Sequence, residues 1–123
     1  MNKKSAFFRS AIAIAFIFCV VTIVMYWIVS FTANFNDHTK IITVTDKERV
    51  NTSSYSKYLI MGEDENGETL VLENTDNTIR FKFNSSDIYA ALKEGETYEV
   101  EVIGYRVPFL SMYENIISYK EVK

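Results

Sequence analysis

The chain has 123 residues, a formal net charge of −3, one Cys and one His. That length holds one membrane segment and at most one small domain. Cys19 and His38 alone supply neither a metal site nor a Cys–His or Ser-His-Asp set, so metal and nucleophilic enzymes are poor fits. The charge is uneven. Lys3, Lys4 and Arg9 precede the first long apolar run; all 16 acids and the other 10 cations follow it, a balance of 10 − 16 = −6 for the remainder. A part this acidic repels phosphate backbones, which argues against nucleic acid as its partner.

The run from Ala11 to Phe31 carries no charge, Pro or Gly. At about 1.5 Å per residue it crosses a hydrocarbon core of roughly 30 Å. It is too long for the apolar centre of a cleaved signal, and the best cut, after Ala33, would put bulky Phe31 where a small side chain is needed. The reading is residues 1–9 as a cytoplasmic tail and residues 10–32 as an uncleaved signal anchor, in contact with the lipid bilayer. The cations before the run hold the N-terminus inside and send the C-terminus outside. Phe7 and Phe8 at one end, and Tyr26, Trp27 and Phe31 at the other, suit the two interfaces. Ala11 and Ala15 read as helix filler, and Cys19 as a small apolar residue in the membrane, because Phe16-Ile17-Phe18 lacks the small residues of a lipid-attachment site.

Residues 33–39 are polar and aperiodic, a linker with His38 as a solvated member. Residues 40–123 form the extracytoplasmic domain. Lys40 to Val50 is rich in β-branched residues and reads as a strand. Residues 51–54 read as a loop; Asn51-Thr52-Ser53 and Asn84-Ser85-Ser86 match a glycosylation pattern that matters only in a eukaryotic secretory path. Lys57 to Glu63 and Glu68 to Asn74 are two more strands. Asp64-Glu65-Asn66-Gly67 between them is a hairpin turn; its acids lack the alternating ligands of a calcium loop. Thr78 to Phe83 alternates, which predicts a half-buried strand with Ile79, Phe81 and Phe83 inward and Arg80 and Lys82 outward. A short helix follows, capped by Ser85 or Ser86, with Asp87 at its positive end and Gly95 closing it. Glu96 to Tyr105 is a strand with Tyr98, Val100 and Val102 inward; its outward acids are placed to pair with Arg80 and Lys82. Asn115 to Val122 is the last strand.

The expected fold is therefore mainly β: a transmembrane helix and a small OB-like five-stranded barrel with one short helix, because a helix between the third and fourth strands is the OB order. An SH3-like barrel or an open sheet plus helix is the alternative. Between the last two strands, residues 106–113 are unusually apolar for a connection and hold the one Pro. Two readings compete. Phe109, Leu110 and Met112 fold down and plug the barrel end, the favoured one; or Arg106, Pro108, Phe109, Met112 and Tyr113 form an exposed contact surface for another protein.

Two blocks, Phe81-Lys82-Phe83-Asn84-Ser85-Ser86-Asp87-Ile88 and residues 104–115 (GYRVPFLSMYEN), resemble a family of short bacterial and phage-borne membrane-anchored proteins of unknown function. Its signature is a C-terminal G-[WY]-R-[IV]-P-F-L-S-M-[FY]-x-N block after F-[DN]-S-[SA]-D. Tyr105 stands where Trp is also common, and residues 50–55 have no correspondence. The resemblance implies the order of anchor and strands, a bacterial cytoplasmic membrane and a fixed 106–113 element, and no activity.

Three functions follow from these readings. The first is a binding module for an envelope or phage protein. The second is an oligosaccharide-binding module, given Tyr55, Tyr58, Phe81, Phe83, Tyr89, Tyr98, Tyr105, Tyr113 and Tyr119, although most of these rings read as core. The third and weakest is an envelope hydrolase, since the acids fall in turns and on outward faces where nothing raises a carboxyl pKa. No catalytic residue, cofactor or metal is expected.

Overall fold

The computed structural model describes residues 2–51, 53 and 56–122. It divides into two units, Met1–Thr32 and Ala33–Lys123. The first is a single helix, α1, Lys3–Ala33, with none of its 31 residues buried. It is long and apolar enough to cross a membrane. Two of its hydroxyls bond within the helix: Thr22 donates to the Phe18 carbonyl (2.8 Å) and Thr32 to that of Val29 (3.1 Å). The helix begins at Lys3, ahead of the apolar run, because nothing in Lys3–Arg9 breaks it.

The second unit has strands β1 (Asp37–Asn51), β2 (Ser56–Glu63) and β3 (Thr69–Asn74), helix α2 (Ser85–Ala91), then β4 (Thr97–Ile103) and β5 (Asn115–Glu121). They form one mixed sheet in the order β1-β2-β3-β5-β4, which returns to β1 and closes. β1 makes this closure. Its first half pairs with β4, from Asp37↔Ile103 to Thr43↔Thr97; an irregularity between Val44 and Asp46 bends it, and its second half pairs with β2 out to Asn51↔Ser56. The β2–β3 turn is the expected one, with Gly67 at φ 78. The closure is thinnest between β3 and β5, which run parallel and share the single pair Glu73↔Asn115.

Alternation fills the interior. Ile42 and Val44 of β1, Ile60 of β2, Leu72 of β3, Tyr98, Val100 and Val102 of β4, and Ile116 of β5 pack with Ile88 and Leu92 from the helical side. Gly62 is small for a reason: a Cβ there would strike the Thr43 carbonyl and the Ile42 side chain.

Several expectations are corrected. β1 begins at Asp37, so His38 is a strand residue paired with Val102 rather than a solvated linker residue. Residues 78–83 do not form a strand. Asn77 and Lys82 close a tight loop, Phe81 sits at φ 54, and the period-two pattern breaks there. The faces are consequently reversed: Lys82 is 4% exposed, while Ile79, Phe81 and Phe83 are exposed. Asn84 occupies the N-cap of α2 without a side-chain cap bond, and the Ser85 hydroxyl donates to Asp76 instead (2.6 Å). The 106–113 connection does not plug the interior. Its Pro108–Leu110 stretch is a single 3-10 turn with Phe109 93% exposed. Of the described rings read as core, only Tyr98 is buried; Tyr89 of α2 packs half-buried against the core, and Phe81, Phe83 and Tyr105 stand exposed. Tyr55 and Thr52, the latter in the first glycosylation pattern, lie outside the described residues.

Candidate functional site

Two polar constellations stand out on the closed sheet. The first stitches its thin seam. Lys82 Nζ donates to Asn74 Oδ1 at the end of β3 (2.8 Å) and to the Ile116 carbonyl of β5, with Asn115 Oδ1 at 3.4 Å. Asn74 Nδ2 donates on to the Ser85 carbonyl (2.8 Å), and Asn115 exchanges bonds with the Thr75 backbone (3.0 and 3.1 Å). One ammonium thus joins two strands whose backbones hardly pair. Burial pushes the Lys82 pKa down to about 8, against the pull of the Asp76 and Glu73 charges. Beside it, Asp76 is held below its usual range by the Ser85 hydroxyl and amide. This knot is fully bonded and inward-facing, so it holds the fold and offers no open reactive group.

Glu114 is a second buried polar group, with His38 Nε2 at 2.7 Å on one oxygen and Lys40 Nζ at 2.6 Å on the other. It ties β1 to the chain entering β5. The expectation that no acid meets a pKa-raising environment is also corrected, since burial raises Glu73, opposed by the charges of Lys57 and Lys82. Glu73 and Glu114 are engaged with cations rather than with each other, so they do not make the paired carboxylates of a hydrolase.

The second constellation lies on the surface, across β1, β2 and the 104–114 connection. Arg106 places its guanidinium 4.3 Å from the centre of the Tyr113 ring and donates Nη1 to the Met112 carbonyl (2.8 Å). Lys57 of β2 approaches the same ring at 5.5 Å and Glu73 Oε1 at 3.8 Å. One residue on, Tyr58 stacks on Tyr89 of α2 with centroids 4.3 Å apart, and Arg49 and Lys47 of β1 lie over these two rings at 5.9 and 4.6 Å. Arg49, Lys57, Tyr58, Glu73, Asp76 and Ser86 line one open depression. The result is a strip of four cations interleaved with three tyrosines on a unit of net negative charge. Lys57 and Tyr58 lie on opposite faces of β2, Tyr58 sharing the face of buried Ile60 and meeting α2, and the two line the same depression at the start of the strand.

Of the expected contact residues, Arg106 and Tyr113 join this strip. Met112 contributes its carbonyl, while Pro108 and Phe109 project away from the core in the 3-10 turn. Sequence reasoning missed Lys47, Arg49 and Lys57. Their signal was weak: each is an ordinary strand cation until the fold sets it over a ring that is distant in sequence. Among the described residues no three metal-ligating side chains come together. No family model matches the chain, and no curated protein matches it in sequence.

Proposed function

We propose that this chain is a single-pass membrane protein that holds an OB-like barrel outside the cytoplasm as a binding module for a protein segment of the envelope or of a phage. The strand order β1-β2-β3-β5-β4, the parallel β3–β5 pair and the helix between β3 and β4 support the OB-like assignment. OB modules take ligands on the face of strands 2 and 3, between the connections β1–β2 and β4–β5. The cation–tyrosine strip draws Lys57 and Tyr58 from the start of β2 and Arg106 and Tyr113 from the β4–β5 connection, and this is the observation that carries the reading. Its partner is an acidic, extended peptide segment, because cations already lie over the rings of Tyr58, Tyr89 and Tyr113 and would offer carboxylates ion pairs at the rim. Each of these rings already has a cation or another ring against it, which ranks oligosaccharide second. The membrane anchor keeps N-terminal Lys3, Lys4 and Arg9 inside, and binding rather than catalysis is its role.

The test uses full-length protein in its own membranes, with a photo-crosslinking residue in place of Arg49. One discrete adduct is expected, and Lys57→Ala combined with Tyr113→Ala should abolish it. The same residue in place of Asn66, in the β2–β3 turn, should give none. Equal adducts from both positions, or an adduct indifferent to the double substitution, would remove the strip from the function.

A further inference from the structure

The β3–α2 and β4–β5 connections carry the same small device. Asn77 and Lys82 exchange both backbone hydrogen bonds (2.9 and 2.8 Å), and so do Val107 and Met112 (both 3.1 Å). Each six-residue loop turns on a residue in the left-handed region at its fifth position, Phe81 at φ 54 and Ser111 at φ 51. Both loops flank the segment by which the chain enters this unit. Arg80 Nη1 donates to the Asn34 carbonyl (2.7 Å) and, with Nη2, clasps Asp37 (2.6 and 2.8 Å); Asn77 Nδ2 donates to Asn34 Oδ1 (2.7 Å). On the other side Asn36 Nδ2 donates to the Gly104 carbonyl (3.0 Å). Ala33, Asn34, Asn77, Tyr105 and Met112 share one depression.

The exposed apolar side chains of this unit are gathered at the same place. Of the ten large ones among the described residues, only Tyr119 and Val122 lie elsewhere; the other eight sit on the two loops, their flanks or the entry segment. Phe81 is 84% exposed and Phe109 93%. A phenylalanine held in the left-handed region and in water gains nothing from its own fold. Charge is sorted as well. No acid occurs from Asn77 to Ser86 or from Val102 to Tyr113, although the unit carries 16 acids against 10 cations. Covalent continuity names the neighbour. Asn34 follows Phe31, the end of the apolar run, by three residues, a reach of at most about 10 Å. The headgroup layer outside the hydrocarbon is itself roughly 5–8 Å deep. Chain connectivity alone keeps the entry segment within reach of the end of the apolar run.

We propose that loops 77–82 and 107–112 dock on the bilayer that α1 crosses, inserting Phe81, Phe109 and Leu110 among its lipids. The unit then rides on the membrane surface rather than swinging from residues 33–36. This goes beyond the binding function and rests only on the membrane-anchor part of that reading: the strip uses Arg106 and Tyr113 at the base of the second loop, whereas docking uses the tip. The chemistry is that of interfacial anchors: exposed aromatic and aliphatic side chains on loops that themselves hold no acid, with Arg80 paired to Asp37 of the entry segment.

The experiment reads depth in the full-length protein, in nanodiscs of phosphatidylethanolamine and phosphatidylglycerol. A nitrobenzoxadiazole fluorophore is attached to a cysteine introduced by Phe81→Cys, Phe109→Cys or, as control, Asn66→Cys, each with Cys19→Ser. Doxyl lipids should quench the first two labels at least twofold and leave the third unchanged. The anisotropy of the Asn66 label should also fall when Phe81→Ser and Phe109→Ser are combined, as the freed unit tumbles. A loop label no more quenched than the control, or anisotropy that ignores the double substitution, overturns the proposal. Burial of both labels in native membranes but not in lipid-only nanodiscs assigns the loops to a protein partner and overturns it too. None of these readouts involves Lys57 or Arg49, so loss of the binding function leaves them unaffected.

Discussion

Lys82 shows how one side chain decides a seam. Its ammonium is buried, bonded to Asn74 of β3 and the Ile116 carbonyl of β5, where the strands share one backbone pair. Lys82→Met keeps the apolar stem and strips the Asn74 and Ile116 acceptors of their donor, which should cost about 1–3 kcal/mol of stability in denaturant melts. A pH dependence accompanies it. The folded pKa is about 8, below the ordinary 10.5. Between those values the unfolded lysine still holds a proton that the folded one has released, so stability rises with pH. Below about pH 8 both forms are protonated and the burial penalty is fully present. The wild type should therefore gain stability from pH 8 toward 10.5 relative to Lys82→Met, in melts of the two proteins at matched pH; parallel curves would show that the ammonium is not buried in solution.

At the scale of elements, the 77–82 loop is where alternation misleads. T-I-R-F-K-F satisfies a period of two, yet a strand needs a partner along its length, and here β3 has already given its free edge to β5. The segment closes on itself instead, and Phe81 takes a left-handed conformation that an aromatic residue rarely adopts. Phe81→Asn should raise stability by about 0.5–1 kcal/mol, since asparagine tolerates that region and no packed contact is lost. Thermal melting of the two proteins in the same detergent checks this; a lowered melting temperature would mean that the ring makes contacts worth more than its backbone strain.

On the scale of the whole molecule, two units of different surface character share one chain. α1 has no buried residue and an apolar perimeter, whereas the 33–123 unit has its own closed core. The asymmetry of Lys3, Lys4 and Arg9 predicts that this core lies outside the cytoplasm. With Cys19→Ser and Asn66→Cys, a membrane-impermeant maleimide should label intact cells fully at position 66. Labelling only after lysis would invert the topology and, with it, the class of partner.

What was legible in the residues was set by local periodicity. The apolar run, the β2–β3 turn with Gly67, the alternation of Tyr98, Val100 and Val102, and the order of five strands around one helix all depend on neighbours in sequence, and each appears where expected. Contacts between segments far apart were not legible. That Lys82 points inward, that His38 meets Glu114, that Phe109 stands in the open and that Arg49, Lys57 and Arg106 lie over tyrosines follow from where the closed sheet brings its loops and edges. Local pattern sets the face a residue prefers; only closure of the sheet determines what waits on that face, and for charged and aromatic side chains that neighbour decides the role.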